Sequence, residues 1–382
     1  MRLLHTADWH LGRLFHNLSL LDDQRHVLQQ LLEIIDREQV DAVLVAGDIY
    51  DRSVPPAAAV TLLDEILVEL CEQRGLPVVM ISGNHDGAER LGFGARHLRQ
   101  AGLHLLTDLA TCDQPVTLTI GDDTVDVFGI PYADPEYVRS AFGVDVRDFD
   151  SAHRYLLERI EAQRQPGRPT LLMSHCFVDG GTASDSERPL TLGGAESVAW
   201  EPMQGFDYVA LGHLHGPQIR GGEHIRYSGS LLKYSFSEAT QRKGVTLVEV
   251  GSEGVTQIAH HPLLPRRDVR VLEGELDQLL AQGATDPHAD DYLLVRLTDR
   301  HAILDPMGKL RAVYPNVLHL EKPGMLEAKG RQQLDRERLA FSALDMFSDF
   351  FAQTSGEPMS DAQARAMGEL ITTLSREQEG QA

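Results

Sequence analysis

The chain has 382 residues, 42% apolar and 24% charged, the balance of an ordinary globular protein with material for more than one domain. Aspartate and glutamate outnumber lysine and arginine by 57 to 35, a net charge of −22. Such a body repels nucleic acid unless metal ions, local basic patches or a partner reverse the field.

No apolar run is long enough to span a membrane, and Met1–Asp8 turns polar too early for a secretory signal. Cys71, Cys112 and Cys176 form neither a paired framework nor a CxxC motif, so a cytoplasmic location is expected. Cys176 stands beside His175, yet a buried structural thiol is the simpler reading.

In chain order, Arg2–Ala7 is predicted as a strand and Asp22–Glu38 as an amphipathic helix with Val27, Leu28, Leu31, Leu32 and Ile35 on one face. A buried strand at Ala42–Ala46 precedes a helix over Ala57–Arg74, and Pro77–Ile81 is the next strand. A hairpin is expected at Val116–Ile120 and Thr124–Ile130, turning on Gly121-Asp122-Asp123. Strands follow at Thr170–Met173 and Phe206–Leu211, with the polar, Gly-rich loop Asp179–Ser197 between them. A second hairpin joins Val245–Val250 to Val255–Ala259.

Pro262, Pro265 and Arg266-Arg267 suggest a boundary. Beyond it a small module reads β-α-β-(α)-β: Val269–Leu272, Leu276–Gln282, Tyr292–Thr298 and Val317–Leu320. From about residue 331 the pattern is helical. Leu334, Phe341, Leu344, Phe347 and Phe351 recur at helical spacing, and Ser360-x-x-Gln363 opens another helix carrying Met367, Leu370, Ile371 and Leu374.

Chemistry-bearing residues follow the buried strands directly. They are Asp8-Trp9-His10, Gly47-Asp48-Ile49-Tyr50-Asp51, Gly83-Asn84-His85-Asp86, Ser174-His175 and Gly212-His213-Leu214-His215. In open α/β sheets the loops beyond the strands' carboxyl ends converge, so these scattered groups would meet on one sheet edge. Spacing by two puts Asp8 with His10, and His213 with His215, on one side of an extended segment. The glycines before Asp48, Asn84 and His213 permit close turns. Each element alone is weak, since an isolated DxH or HxH is commonly a capped strand end. Together, in order and each at a strand end, they leave the packing explanation little room.

The order DxH, GDxxD, GNHD, H, GHxH resembles that of the calcineurin-like metallophosphoesterases, over residues 1 to about 260. Within that family the SbcD-type nuclease subunits are the nearest in pattern. Ser184-Asp185-Ser186-Glu187-Arg188, Tyr227-Ser228-Gly229-Ser230 and Ser235-Phe236-Ser237-Glu238 carry that narrower similarity.

The resemblance implies an α/β fold: a layered β-sandwich domain flanked by helices over residues 1–262, a small α+β DNA-capping domain over 263–330, and a helical tail over 331–382 that binds an ATPase partner. It implies one metal on Asp8, His10, Asp48 and His215, and a second on Asp48, Asn84, His175 and His213, with Asp48 bridging. His85 would be the catalytic histidine that holds no metal, its ring oriented by Asp86. A mixed O/N donor set without thiolate suits two divalent ions such as Mn2+. Their uncompensated charge would draw a phosphodiester and acidify water. Some relatives carry a further histidine after the GDxxD motif; here Arg52 occupies that place, as a phosphate contact or a solvated side chain.

Arg220, Arg226, Lys233, Arg242 and Lys243 either form a local positive track or are scattered surface cations. The phenylalanine cluster Phe341, Phe347, Phe350 and Phe351 either packs at home or, as the resemblance implies, docks on a partner. That partner would be an SbcC-type ABC ATPase with a coiled coil, this chain having no Walker A sequence, in a heterotetramer built on a homodimer of this chain. Two rival functions stay open: a metallophosphatase acting on nucleotides or phosphoproteins, and an interaction subunit whose metals are vestigial.

Overall fold

The structure, a computed structural model, describes residues 1–187, 197–299 and 301–322, then 344, 347, 348, 351, 352, 355 and 357–379. Arg188, Leu334, Phe341 and Phe350, and with them most of the expected first tail helix, lie outside the described residues. The chain divides into two compact units, Met1–Asp268 and Val269–Ala382.

In the first unit the strands of the two large sheets are, in chain order, β1 (Arg2–Thr6), β2 (Ala42–Ala46), β3 (Val78–Ile81), β4 (Leu103–Leu106), β5 (Val116–Ile120), β6 (Asp123–Ile130), β7 (Thr170–His175), β8 (Tyr208–Gly212), β9 (Gln218–Arg220), β10 (Gly222–Tyr227), β11 (Gly244–Gly251) and β12 (Gly254–Pro262). They build two six-stranded sheets, ordered β12-β11-β1-β2-β3-β4 and β9-β10-β8-β7-β6-β5. The strands β1 to β4 run parallel, as do β6, β7, β8 and β10. The antiparallel hairpins β11–β12 and β5–β6 arise where the sequence places Gly251-Ser252-Glu253-Gly254 and Gly121-Asp122-Asp123 between alternating runs.

Period-two alternation decides which side chains meet. Leu3, Leu44, Ala46, Val79 and Ile81 of the first sheet pack with Val127, Leu171, Met173, Tyr208 and Ala210 of the second. The intervening Phe128, Leu172, Val209 and Leu211 point the other way, onto Ala152, Leu156, Leu157 and Ile160 of a helix, Phe149–Glu161. Ala42–Ala46 is buried at every position, as expected of a parallel strand covered on both faces. Helix Leu21–Glu38 buries Val27, Leu28, Leu31, Leu32 and Ile35, the predicted face.

Several boundaries differ from expectation. The helix from Ala57 is α-helical to Leu67 and continues as a wider π turn over Val68–Gln73. The strand from Thr170 runs on through His175, so that histidine is part of the sheet. Strands β4, β9 and β10 and helix Phe149–Glu161 were not expected.

The second unit holds a parallel three-stranded sheet, Val269–Gly274, Tyr292–Leu297 and Val317–Glu321, with helices Leu276–Gly283 and Pro306–Arg311 between them. Its core comprises Leu276, Leu279, Leu293, Val295, Leu297, Leu310, Tyr314 and Val317. A further helix spans Asp361–Glu379, with the Ser360 hydroxyl 2.9 Å from Gln363 Oε1 at its start. The structure is thus an α/β sandwich with a C-terminal helical region, and the module expected to be α+β is α/β in kind, because its three strands are parallel and alternate with helices.

Candidate metal centre

The backbone beyond β1 and β2 stays paired after the strands end. Asp8 N donates to Gly47 O at 3.0 Å and His10 N to Asp48 O at 2.9 Å. Between the two sheets, His175 Nδ1 donates to Ala46 O at 2.9 Å, and His213 N donates to Asp8 Oδ1 at 2.9 Å. The carboxyl ends of β1, β2, β7 and β8 therefore close on one another. Gly83 is needed for this approach, because a Cβ there would collide with the Asp48 carboxylate.

Four residues of this edge are held at positive φ although none is glycine: Asp8 (53°), His10 (46°), Asp48 (51°) and His213 (108°). This region is sterically unfavourable for L-residues with a Cβ, and strain of this kind persists only where the surroundings over-determine it.

Asp8, His10, Asp48, His175, His213 and His215 are all buried, and Asn84 is half-buried. Asp48 Oδ2 lies 3.5 Å from His10 Nε2 and 3.5 Å from His175 Nε2, while Oδ1 accepts the His85 backbone N–H at 2.9 Å. A single carboxylate oxygen therefore faces both histidines. On one side of it, His10 Nε2 and His215 Nε2 approach to 3.1 Å. On the other, Asn84 Oδ1 lies 3.0 Å from His175 Nε2 and 3.2 Å from His213 Nδ1. Among the described residues, His/Asp groups with ligand atoms within 4.8 Å of one another are Asp8–His10–His215, Asp8–Asp48–His175 and His10–Asp51–His85.

These contacts test whether cations fit. His175 donates its Nδ1 proton to Ala46, which turns Nε2 toward the Asn84 carbonyl oxygen and Asp48, where a cation would take the place of the ring's second proton. His10 Nδ1 is buried without a hydrogen-bond partner. The donors are imidazole nitrogen, carboxylate and amide oxygen, a set suited to divalent ions. Cys176 is buried, its Sγ accepting from Ser174 Oγ at 3.4 Å, and Cys71 and Cys112 are also unbridged.

The electrostatics point the same way. Burial lifts the Asp8 carboxyl to about 7, against the pull of His175 and His215. Burial also opposes ionisation of Asp48, but His175 and His10 outweigh it and hold that carboxyl well below its usual range. His175 resists burial through Asp48 and Asp8 and rises to about 9, whereas burial drives His213 down to about 3. Asp48 is the firmly ionised carboxylate here, and it favours a positive charge beside it, whether a proton on His175 or a cation.

His85 is buried beside this edge, its ring centroid 4.6 Å from that of His10. Its Nδ1 meets Asp51 O at 2.9 Å. That carbonyl supplies the orientation expected of Asp86. The Asp86 carboxylate instead accepts from Ile49 N (3.1 Å), Tyr50 N (2.9 Å) and Gly83 N (2.9 Å), tying the second and third loops together. Arg52 extends outward with its side chain 61% exposed, its Nε 3.7 Å from Asp51 Oδ2.

The positive track is not realised as a row of free cations. Lys243 is buried and ion-paired to Glu238, Lys233 is paired to Asp268 at 2.9 Å, and Arg226 to Glu223 at 2.8 Å. Arg242 alone of the set is exposed. Sequence reasoning did not foresee that the Asp51 carboxylate binds Arg13 at 3.0 Å, nor that Ser186 and Glu238 stand at the back of His215. The GDxxD spacing marked Asp51 without revealing its task.

Fold and site define a metal-dependent phosphoesterase. A sequence model of the calcineurin-like phosphoesterases matches residues 1–217, and one described as the type 5 capsule protein repressor C-terminal domain matches residues 265–355. The SbcD subunit of the nuclease SbcCD from Staphylococcus epidermidis is 37% identical over 321 residues, covering 84% of this chain and 85% of its own. Its namesake from Staphylococcus saprophyticus is 34% identical over 384 residues, covering 99% of each. A crystal structure of a hypothetical protein from Thermus thermophilus aligns with 69% of this chain and 100% of its own, at 15% identity and a TM-score of 0.38. The chain belongs to the calcineurin-like phosphoesterases, in the branch of the SbcD nuclease subunits. Among the described residues no helix is long and apolar enough to cross a membrane.

Proposed function

We propose that this chain is the Mn2+-dependent nuclease subunit of an SbcC–SbcD-type complex that hydrolyses phosphodiesters at DNA ends and hairpins. The observation that carries this reading is the single Asp48 oxygen flanked by two donor groups. Asp8, His10, Asp48 and His215 would hold one ion; Asp48, Asn84, His175 and His213 would hold the other. The relatives' names supply the nuclease reading and a two-part SbcCD assembly, and the family resemblance implies that the other part is a coiled-coil ABC ATPase. In the same reading residues 1–262 form the nuclease domain, 263–330 cap DNA, and 331–382 bind the ATPase, with a homodimer of this chain at the centre of a heterotetramer.

Two bound dications would supply the charge that draws a phosphodiester and acidifies water between them. The chain's own part is positional. Asp8 and Asp48 partly neutralise the incoming charge. His175 is fixed through Ala46 and His213 through its backbone bond to Asp8. His85, locked at Nδ1 by Asp51, would turn Nε2 to the phosphate or to the departing oxygen when substrate is bound, as a hydrogen-bond donor or proton carrier. Asp86 acts one step back, by fixing the loops that carry Asp48 and His85.

The test is Mn2+-dependent hydrolysis of an end-labelled DNA hairpin, set against a chromogenic phosphate monoester, with and without the ATPase partner. Cleavage of the hairpin, stimulated by the partner, is expected. Turnover of the monoester alone would support the metallophosphatase reading instead.

A further inference from the structure

Two of the subfamily-type stretches, Ser184–Glu187 and Ser235–Glu238, meet behind His215 on the side away from His10. Ser186 Oγ lies 2.6 Å from His215 Nδ1 and also hydrogen-bonds Glu238 Oε1. A hydroxyl has one proton, and the carboxylate is the stronger acceptor, so Ser186 donates to Glu238 and accepts from the His215 Nδ1–H. Glu238 Oε1 also accepts from Ser235 Oγ at 2.9 Å, and its Oε2 is held by Lys243 Nζ at 2.5 Å. Lys243 donates onward to the His215 carbonyl oxygen at 2.7 Å and to Ser230 Oγ at 2.9 Å. Glu187 Oε1 takes the His215 backbone N–H at 2.7 Å. Ring and backbone of this one histidine are thus gripped from three directions by buried or half-buried groups.

We infer that Ser186 and Glu238 are positioning residues for His215, forming a serine-relayed carboxylate–histidine chain that fixes the Nδ1–H tautomer and aims Nε2 at the cation shared with His10. The relay differs from a direct carboxylate–imidazole bond. Glu238 lies 3.5 Å from Nδ1, and the Ser186 hydroxyl closes the gap. Outer partners of this kind commonly change metal affinity by about 10–100-fold when removed. The inference rests on the reading that His215 holds a metal ion.

The experiment uses the full chain, stripped of metal, as wild type, Ser186→Ala and Ser237→Ala. Ser237 sits in the same loop pairing, where its Oγ accepts from Asp185 N at 2.9 Å, and it serves as the control for simple loop disruption. Two readouts apply. Mn2+ titration followed by electron paramagnetic resonance gives stoichiometry and affinity; long-range proton–nitrogen spectra of the metal-free protein give the His215 tautomer. Wild type is expected to take up two ions and to show the Nδ1–H tautomer. Ser186→Ala should lose affinity at one of the two sites by about 10–100-fold, with a mixed tautomer and unchanged melting temperature. Ser237→Ala should behave as wild type. Wild-type affinity at both sites in Ser186→Ala, or an Nε2–H tautomer in the wild type, overturns the relay while leaving the metal reading intact. Failure of the wild type to bind Mn2+ removes the metal reading, and the relay with it.

Discussion

The Nε2 atoms of His10 and His215 face each other at 3.1 Å in a site closed to solvent. His215 directs its Nδ1 toward Ser186, so its Nε2 presents a lone pair to the opposite ring. Two nitrogen ligands about 2.0–2.1 Å from one ion and at a right angle to each other stand about 3 Å apart. The spacing is that of a ring-to-ring hydrogen bond, and equally of two ligands on one cation once the shared proton is lost.

Divalent metal should therefore stabilise the fold. At about one hundred times its dissociation constant, Mn2+ is expected to add about 2.7 kcal/mol, read as a rise in melting temperature that a chelator reverses. Asp48→Asn removes the charge both donor groups face and should abolish that rise. A variant stabilised as much as the wild type would refute Asp48 as the shared ligand.

Replacing His85 separates binding from chemistry. His85→Asn should keep Mn2+ affinity within a few-fold and lower hairpin cleavage by about 10²–10⁴-fold, the usual worth of a positioned acid–base group. Calorimetry for the metal and a gel assay for the product measure the two quantities independently. Cleavage at the wild-type rate would remove His85 from the mechanism.

Lys243 is buried and bonded to Glu238. Lys243→Met leaves a buried carboxylate without its counter-charge and should cost about 3–5 kcal/mol in urea unfolding of the metal-free chain. A free surface lysine, as the sequence alone allowed, would cost less than about 1 kcal/mol.

Acid sensitivity is expected from His153, whose ring is buried between Phe149 O (3.1 Å) and Ser174 Oγ (3.3 Å). Burial lowers its pKa from 6.5 to about 4. Between those values the unfolded chain binds the proton and the native chain does not, so this contribution is complete above about pH 6.5 and is lost as pH falls toward 4. His153→Asn should show a shallower decline in stability across that window in denaturant melts at stepped pH. Identical slopes for the two proteins would contradict the assignment.

The site was legible in the sequence because each group sits at the end of an apolar run, and parallel strands deliver their carboxyl ends to one edge. Asp8, Asp48, Asn84, His175 and His213 could be placed together on that ground alone. Their neighbours could not. The bond from Asp51 O to His85 depends on how the loop after β2 curls, and Asp86, adjacent in sequence to His85, turns away to three backbone amides. Lys243 looked like a rim cation because charge in a sequence does not reveal its partner. Helix Phe149–Glu161 has a readable start in Asp148 and Ser151, which form a capping box, but His153 on its buried face interrupts the apolar stripe. Strand β9 is a sheet edge and β10 its neighbour, and polar residues in both blur the two-residue rhythm.

The left-handed backbone at Asp8, His10, Asp48 and His213 has a consequence for anyone breeding a hardier version of this protein. Those corners are where glycine or asparagine would relax the chain, so a screen that rewards heat resistance alone would drift toward such replacements and return sturdy, inert variants. Endurance and hydrolysis should be selected together, with these corners left unvaried.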